Sequence, residues 1–389
     1  MSENNNKINR RSFLKSAGAV GATTLVAGCS DIVQPPVSST CESSSITDGP
    51  AVLRKKRELK MVTTWPKDFP GMGVGAQRLA ETITQMSGGL LDIKVYAANE
   101  LVHPMASFDT VSQGKADIYH GAEYYWQGKS PAFNFFAAVP MGMTSTEMDA
   151  WIYHDGGQEL WDELCAPFNI KPFMAGSTGT QMGGWFRKEI NNLQDLQGLR
   201  MRMPGLGGEV IRRMGATPVT KAGNEIAMAL SQGNIDATEW VGPWNDLAFN
   251  LHEYAKYYYY PGIHEPGTAL GVGLNLHIWE DFNDWEKSIW RAACRAEHNY
   301  LYAEYNANNG RSLERLIRDH GVNLKVFSDD ILEEMARVSI DVLDETAAAD
   351  PFTQKVYDSF KDSMKRTSEW GDIADRAFVR ARAFTKQYL

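Results

Sequence analysis

Residues 58–64 read "ELKMVTT", and the alternation of Leu59 and Met61 with polar neighbours marks a β-strand. Next, "GAQRLAETITQMSGG" (75–89) sets apolar residues at helical spacing and closes on Gly88 and Gly89. A second strand, "LDIKVYA" (91–97), a second helix, "MASFDTVSQG" (105–114), and a third strand, "ADIYHGA" (116–122), follow in turn. This β-α-β-α-β order implies parallel strands joined by crossover helices, and so an α/β protein.

The rhythm returns further along. "GGWFRK" (183–188), "LRMRMP" (199–204), "ATPVTK" (216–221) and "IDATEWV" (235–241) read as strands. "GGEVIRRMG" (207–215) and "NEIAMALSQG" (224–233) read as helices between them. "TALGVGLNLHIW" (268–279) reads as one long strand that crosses back between lobes. The chain has 389 residues, more than one ordinary core holds, so two lobes are expected, at 58–175 and 176–280. Residues 281–389 have a helical pattern and are expected to pack across both lobes. Thr144 and Glu147 form a capping box for a helix running to about Cys165. Phe360, Met364, Trp370, Phe378 and Phe384 make the tail more apolar than one contact needs, which suits a second role in dimerisation.

The N-terminus reads as an address. "NRRSFLKSAGAVGATTLVAGCS" (9–30) has paired Arg10 and Arg11, then Phe13 and Leu14, then an apolar run too short to span a bilayer. It resembles a twin-arginine export signal occupying residues 1–29. Val26–Cys29 resembles a lipobox in which Cys29 would carry lipid. The Ser/Pro-rich stretch that follows makes 30–57 a flexible tether. The body would then be exported to the periplasm and held to a membrane only by lipid at Cys29.

Composition and motifs remove several classes of chemistry. A net charge of −9 argues against nucleic acid as a partner. There is no GxSxG nucleophile motif, no HExxH and no CxxC pair, and a Cys165–Cys294 disulfide is left open. "GMGVGA" (71–76) imitates a dinucleotide fingerprint, but "WPKDFP" separates it from the strand, so it reads as a loop entering a helix.

The informative set lies between residues 177 and 270. Gln181 stands in a Gly-rich turn, followed by Trp185, and both are candidate ligand contacts. Arg200 and Arg202 share one face of an alternating strand, with Met201 and Met203 on the other. Glu239 precedes Trp240 in "TEWVGPWND" (238–246), and Glu265 lies within "YYYYPGIHEPG" (257–267), after the tyrosines. An arginine at a cleft suits a carboxylate, and an amide with carboxylates suits a hard cation such as Na⁺ or Ca²⁺. Such a set favours recognition over catalysis.

The segment "GLRMRMPG…GATPV…AMALSQGNIDATEW", with "EWVGPWND…YYYYPG", resembles the solute-binding proteins of TRAP (tripartite ATP-independent periplasmic) transporters. Within them it is most similar to the branch that binds 2-oxo acids and related monocarboxylates. The resemblance implies a two-lobed periplasmic binding protein with a central cleft, hinge strands and a long C-terminal helical segment. It implies Arg202 as the carboxylate clamp, and Gln181, Glu239 and the Trp240 carbonyl as holders of a metal cation (Na⁺ or Ca²⁺). Glu265 and Gln181 would contact the ligand, and Tyr124, Tyr125 or Trp126 would form an aromatic wall. It further implies a small and a large membrane subunit as partners, ion-gradient-driven uptake, and compatibility with a homodimer through the C-terminal helix. Two other readings remain at this stage: an exported lyase or isomerase using Glu239 and Glu265 as acid and base, and a ligand sensor for a membrane receptor.

Overall fold

In the computed structural model, residues 55–387 are described. The leader, Cys29 and nearly all of the expected tether lie outside them. Arg57 already belongs to the first strand, and its guanidinium binds Asp281 at 2.6 Å and Glu286 at 3.0 Å. The body therefore begins slightly earlier than the expected boundary.

The opening run folds as the alternation implies. Strands β1 (Arg57–Thr63), β2 (Leu91–Tyr96) and β3 (Ile118–Gly121) are mutually parallel, with β1 between the other two. The crossover helix Met72–Met86 lays Leu79, Ala80 and Ile83 on the sheet. It starts at Gly71, whose φ of 73° favours glycine and where a Cβ would come within 2.7 Å of the Tyr305 hydroxyl. Strand β4 (Ile170–Ser177) completes the first sheet, although β4 does not touch β3.

The strand between them comes from far along the chain. The second sheet contains β5 (Gly184–Phe186), β6 (Arg200–Arg202), β7 (Thr217–Val219), β8 (Ala237–Thr238) and β9 (Tyr257–Tyr260). Strand β10 (Ala269–Asn275) then returns to the first sheet, antiparallel to both β3 and β4. The expected long strand 268–279 thus ends at Asn275, whose side chain accepts from the His277 amide and starts the helix Leu276–Asp281. The crossing between lobes is made by residues 261–268 and not by the strand itself. Strand β11 (Asn323–Val326) joins the second sheet beside β9. Sequential cuts at 175 and 280 therefore do not divide the two sheets.

The helical segment bridges both. Helix Asp284–Arg318 buries Ile289, Trp290, Ala293 and Leu301 on one half. On its other half the Tyr305 hydroxyl donates to Asn245 at 2.7 Å, and Asn309 accepts from the Trp244 amide at 3.1 Å. Helix Pro351–Gly371 returns to the first lobe, where Phe360 meets Trp151 edge-on at 5.2 Å. The helix expected to run to Cys165 is two helices, Ser145–His154 and Gly157–Cys165, broken at Gly156 with φ 87°. The Thr144 amide donates to the Glu147 carboxylate at 2.7 Å, half of the expected capping box. Cys165 and Cys294 are separate buried thiols.

Candidate functional site

The chain passes between the sheets at 178–183, from β4 to β5, and again at 261–268, from β9 to β10. These two crossings lie side by side. The Thr178 amide donates to the Thr268 carbonyl at 3.1 Å, Gln181 N to Glu265 O at 3.1 Å, and Gly262 N to Gln181 O at 3.0 Å. Gln181, His264, Glu265 and Thr268 are thereby held at the junction of the lobes. The second sheet adds Arg202 at the end of β6, and Glu239 and Trp240 just past β8. The first sheet adds Tyr124 and Tyr125 just past β3. Ligand sites commonly form beyond the carboxyl ends of parallel strands, and β3, β6 and β8 all end here.

The polar groups form one connected set. Gln181 Nε2 donates to Glu265 Oε2 at 2.7 Å, to Thr178 Oγ1 at 3.1 Å and to Thr268 Oγ1 at 3.2 Å. Thr268 Oγ1 also donates to Glu265 Oε2 at 2.7 Å. Arg202 Nη1 binds Glu239 Oε1, while its Nε donates to the Lys221 carbonyl at 3.1 Å. His264 Nε2 lies 3.4 Å from the other Glu239 oxygen. Arg202 is 1% exposed and Glu239 is fully buried, so the pair is shielded from water and weakly screened. The Arg202 guanidinium stands 5.1 Å from the Trp240 ring centre. That ring covers Gly223, where a Cβ would lie only 2.4 Å from the indole.

Electrostatics follow the geometry. Burial, reinforced by the Glu239 charge, raises the Glu265 carboxyl to about 7. For Arg202, burial opposes the charge, but Glu239 and the neighbouring tyrosines outweigh it and raise the guanidinium above its ordinary value. His264 follows the same logic: burial lowers it, and the bond and charge of Glu239 lift it above the usual range.

Among the buried groups without a hydrogen-bond partner, three lie at this junction: the Gln181 Oε1 acceptor, the Arg202 Nη2 donor and the Trp240 indole N–H. Glu239, His264 and Glu265 each offer a ligand atom within 4.8 Å of the others. With Gln181 Oε1 this is a predominantly oxygen set, which fits a hard cation. Beside it is a small cavity of about 10 Å³ lined by Trp65, Met72, Tyr124, Tyr125, Gln181 and Trp240, among others.

Not every expected residue arrives. Trp185 is committed elsewhere: its indole donates to Asp246 at 2.9 Å and stacks on Tyr258 at 3.9 Å, so it does not line the cavity. Its β-register pairs it with Thr238, and its side chain holds the second lobe together. Trp126 packs with Phe108 and Tyr119 in the first lobe, leaving Tyr124 and Tyr125 as the wall. Arg200 is a surface residue paired with Asp236 at 2.6 Å.

Other contributors carry no sequence signature of their own. Trp65 lines the cavity and is aimed by His120, whose Nδ1 accepts its indole N–H at 2.8 Å. Burial lowers His120 to about 4, so it is neutral and able to accept. Directly before Tyr124, Glu123 is fully buried and accepts from the Tyr119 hydroxyl at 2.9 Å. Burial raises its carboxyl from 4.5 to about 8. The folded state thus holds the Glu123 proton more tightly than the unfolded chain does. Its stabilising contribution is complete below 4.5 and is lost as pH rises toward about 8. Glu123→Gln is expected to flatten the fall of melting temperature between about pH 5 and about pH 8. An unchanged slope would show that Glu123 is ionised in the fold.

A family model described as bacterial extracellular solute-binding protein, family 7 (DctP), matches residues 61–350. The chain belongs to that family. A model of the twin-arginine translocation signal matches residues 7–27, which with the family indicates export to the periplasm. The chain is 36% identical over 369 residues to the monocarboxylate 2-oxoacid-binding periplasmic protein of Nostoc sp., covering 95% of this chain and 97% of that one. Two crystal structures of TRAP periplasmic solute binding proteins, from Pseudoalteromonas atlantica with bound sodium and pyruvate and from Colwellia psychrerythraea with bound calcium and pyruvate, resemble it closely. Each has a TM-score of 0.81 at 36% identity and matches 84% of this chain, with 99% of the first and 100% of the second covered. No helix among the described residues is long and apolar enough to cross a membrane.

Proposed function

We propose that this family 7 protein is the extracytoplasmic receptor of a TRAP transporter and binds a small 2-oxo or 2-hydroxy monocarboxylate together with Na⁺ or Ca²⁺. The observation that carries the reading is the coexistence of a buried donor and a buried acceptor, Arg202 Nη2 and Gln181 Oε1, each without a partner. Leaving such groups unpaired is costly, so they are retained for something that binds. Arg202 receives the ligand carboxylate. Gln181, Glu239 and the Trp240 carbonyl hold the cation, with Glu265 beside them. When bound, the cation supplies positive charge to the carboxylate and the adjacent oxygen of the ligand. The aromatic walls and the small cavity select short acids.

The remaining assignments extend this. Release to the small and large membrane subunits would follow opening about the two crossings at 178–183 and 261–268. Glu239 and Glu265 are occupied with Arg202, His264, Gln181 and Thr268, which favours binding over acid–base turnover. Trp370, Ile373, Phe378 and Phe384 are each more than 60% exposed on the last helical stretch, supporting a homodimer through that segment. Cys29 is the candidate lipid anchor of the exported chain.

Native mass spectrometry of the full-length protein purified from its membrane and periplasmic fractions tests the set. The expected spectrum shows a co-purified short acid, a Na⁺ or Ca²⁺ adduct lost with it, a dimer, and a lipid mass at the mature N-terminus. A long-chain or dicationic ligand, or conversion of an added 2-oxo acid, contradicts the reading.

A further inference from the structure

A second cavity lies against β4, the edge strand of the first sheet, and shares no lining residue with the cavity in the cleft. It is a partly open cavity of about 160 Å³, and its polar lining is Tyr153, Gln158, Glu159, Lys171, Arg291 and Arg295. Four elements build it: the helices Ser145–His154 and Gly157–Cys165, strand β4, and the long helix Asp284–Arg318.

Arg291 and Arg295 are one helical turn apart and therefore project from the same face. Both guanidinium groups rest on aromatic rings, Arg291 at 5.0 Å from the Trp279 centre and Arg295 at 5.0 Å from the Tyr153 centre. Such stacking restrains the long side chains while leaving the planar N–H edges free. Neither arginine has a carboxylate partner among the described residues, whereas Arg318 on the same helix pairs with Glu314 and Asp319. The Tyr153 hydroxyl is buried and has no hydrogen-bond partner. Lys171 adds a third positive charge, with its Nζ bound to Asp162. Gln158 is turned to Asp162 and the Pro172 carbonyl at 2.9 and 3.0 Å, and Glu159 is the one acid on the wall.

Three cations thus stand against Glu159 and the Asp162 behind Lys171. Two prepositioned guanidinium groups and an unpaired phenol are a donor set for an anion with several oxygens. We propose that this cavity is a second ligand site, taking a small polyvalent oxyanion. Phosphate, sulfate and a short dicarboxylate share the required chemistry. The site is separate from the cleft that takes the monocarboxylate.

Calorimetric titration of the full-length protein, with sodium and pyruvate saturating the cleft, tests this. The probes are inorganic sulfate, inorganic phosphate and succinate, each against a sodium chloride control of equal ionic strength. At least one is expected to bind saturably, one per chain. Arg291→Gln with Arg295→Gln is expected to weaken that binding by at least about 30-fold, since it removes both charged donors. Tyr153→Phe is expected to weaken it about 3- to 10-fold while the melting temperature stays within a degree or so. Pyruvate affinity should be unchanged in both variants, which separates this site from the cleft. Absence of saturable binding for all three probes, or binding retained by the double variant, overturns the proposal.

Discussion

Arg202→Ala is expected to weaken pyruvate binding by at least about 1,000-fold, a loss of about 4 kcal/mol. It is also expected to destabilise the ligand-free protein by about 3–5 kcal/mol. The first effect follows from removing the guanidinium proposed to clamp the ligand carboxylate. The second follows from burial: Glu239 is fully buried and Arg202 is its cationic partner, so truncation leaves a charge without compensation. The position alone suggests a variant that loses binding and keeps its fold; the buried pair predicts that both are lost together. Arg202→Met combined with Glu239→Gln separates the two. It should recover most of the stability in urea unfolding and none of the binding in calorimetry. Binding at micromolar affinity in Arg202→Ala would remove this residue from the clamp.

Removing the cation is expected to lower pyruvate affinity roughly 100-fold, near the upper end of ordinary coupling between two bound species. Glu239 is the residue through which the coupling should run. In the structure it is shared between Arg202 and His264, and its carboxylate lies within 4.8 Å of both Glu265 and His264. Glu239→Gln keeps the shape and removes the charge. That variant should bind pyruvate weakly and should no longer respond to added sodium or calcium. His264 holds one Glu239 oxygen, which leaves the carboxylate a single defined orientation.

The opening strands and their crossover helices were legible because period-two and helical spacing follow directly from burial on a parallel sheet. Arg202, Glu239, Gln181, Glu265 and Tyr124 were also legible, since charged or amide side chains amid aromatic and turn residues stand out. Their roles came from the family resemblance. That residues 268–279 cross back was legible, but the place of β10 between β3 and β4 could not be read locally: Ala269–Leu274 is buried on both faces and would suit any central strand. Trp185 misled for a related reason. A tryptophan beside a Gly-rich turn looks the same whether it faces a cleft or, as here, donates to a buried Asp246. His264, Thr268 and His120 were silent because each acts through a hydrogen bond to a residue remote in sequence, Glu239, Gln181 and Trp65 respectively. The break at Gly156 was visible as a glycine but not as a left-handed one.

The most direct test is a pair of calorimetric titrations on the wild-type protein stripped of metal and ligand. Pyruvate is titrated with and without sodium or calcium, and the cation is titrated with and without pyruvate. The same factor of roughly 100 should appear in both directions, because coupling between two bound species is reciprocal. Pyruvate binding of equal affinity in cation-free buffer would contradict a site in which Gln181 and Glu239 hold the cation against the ligand that Arg202 clamps.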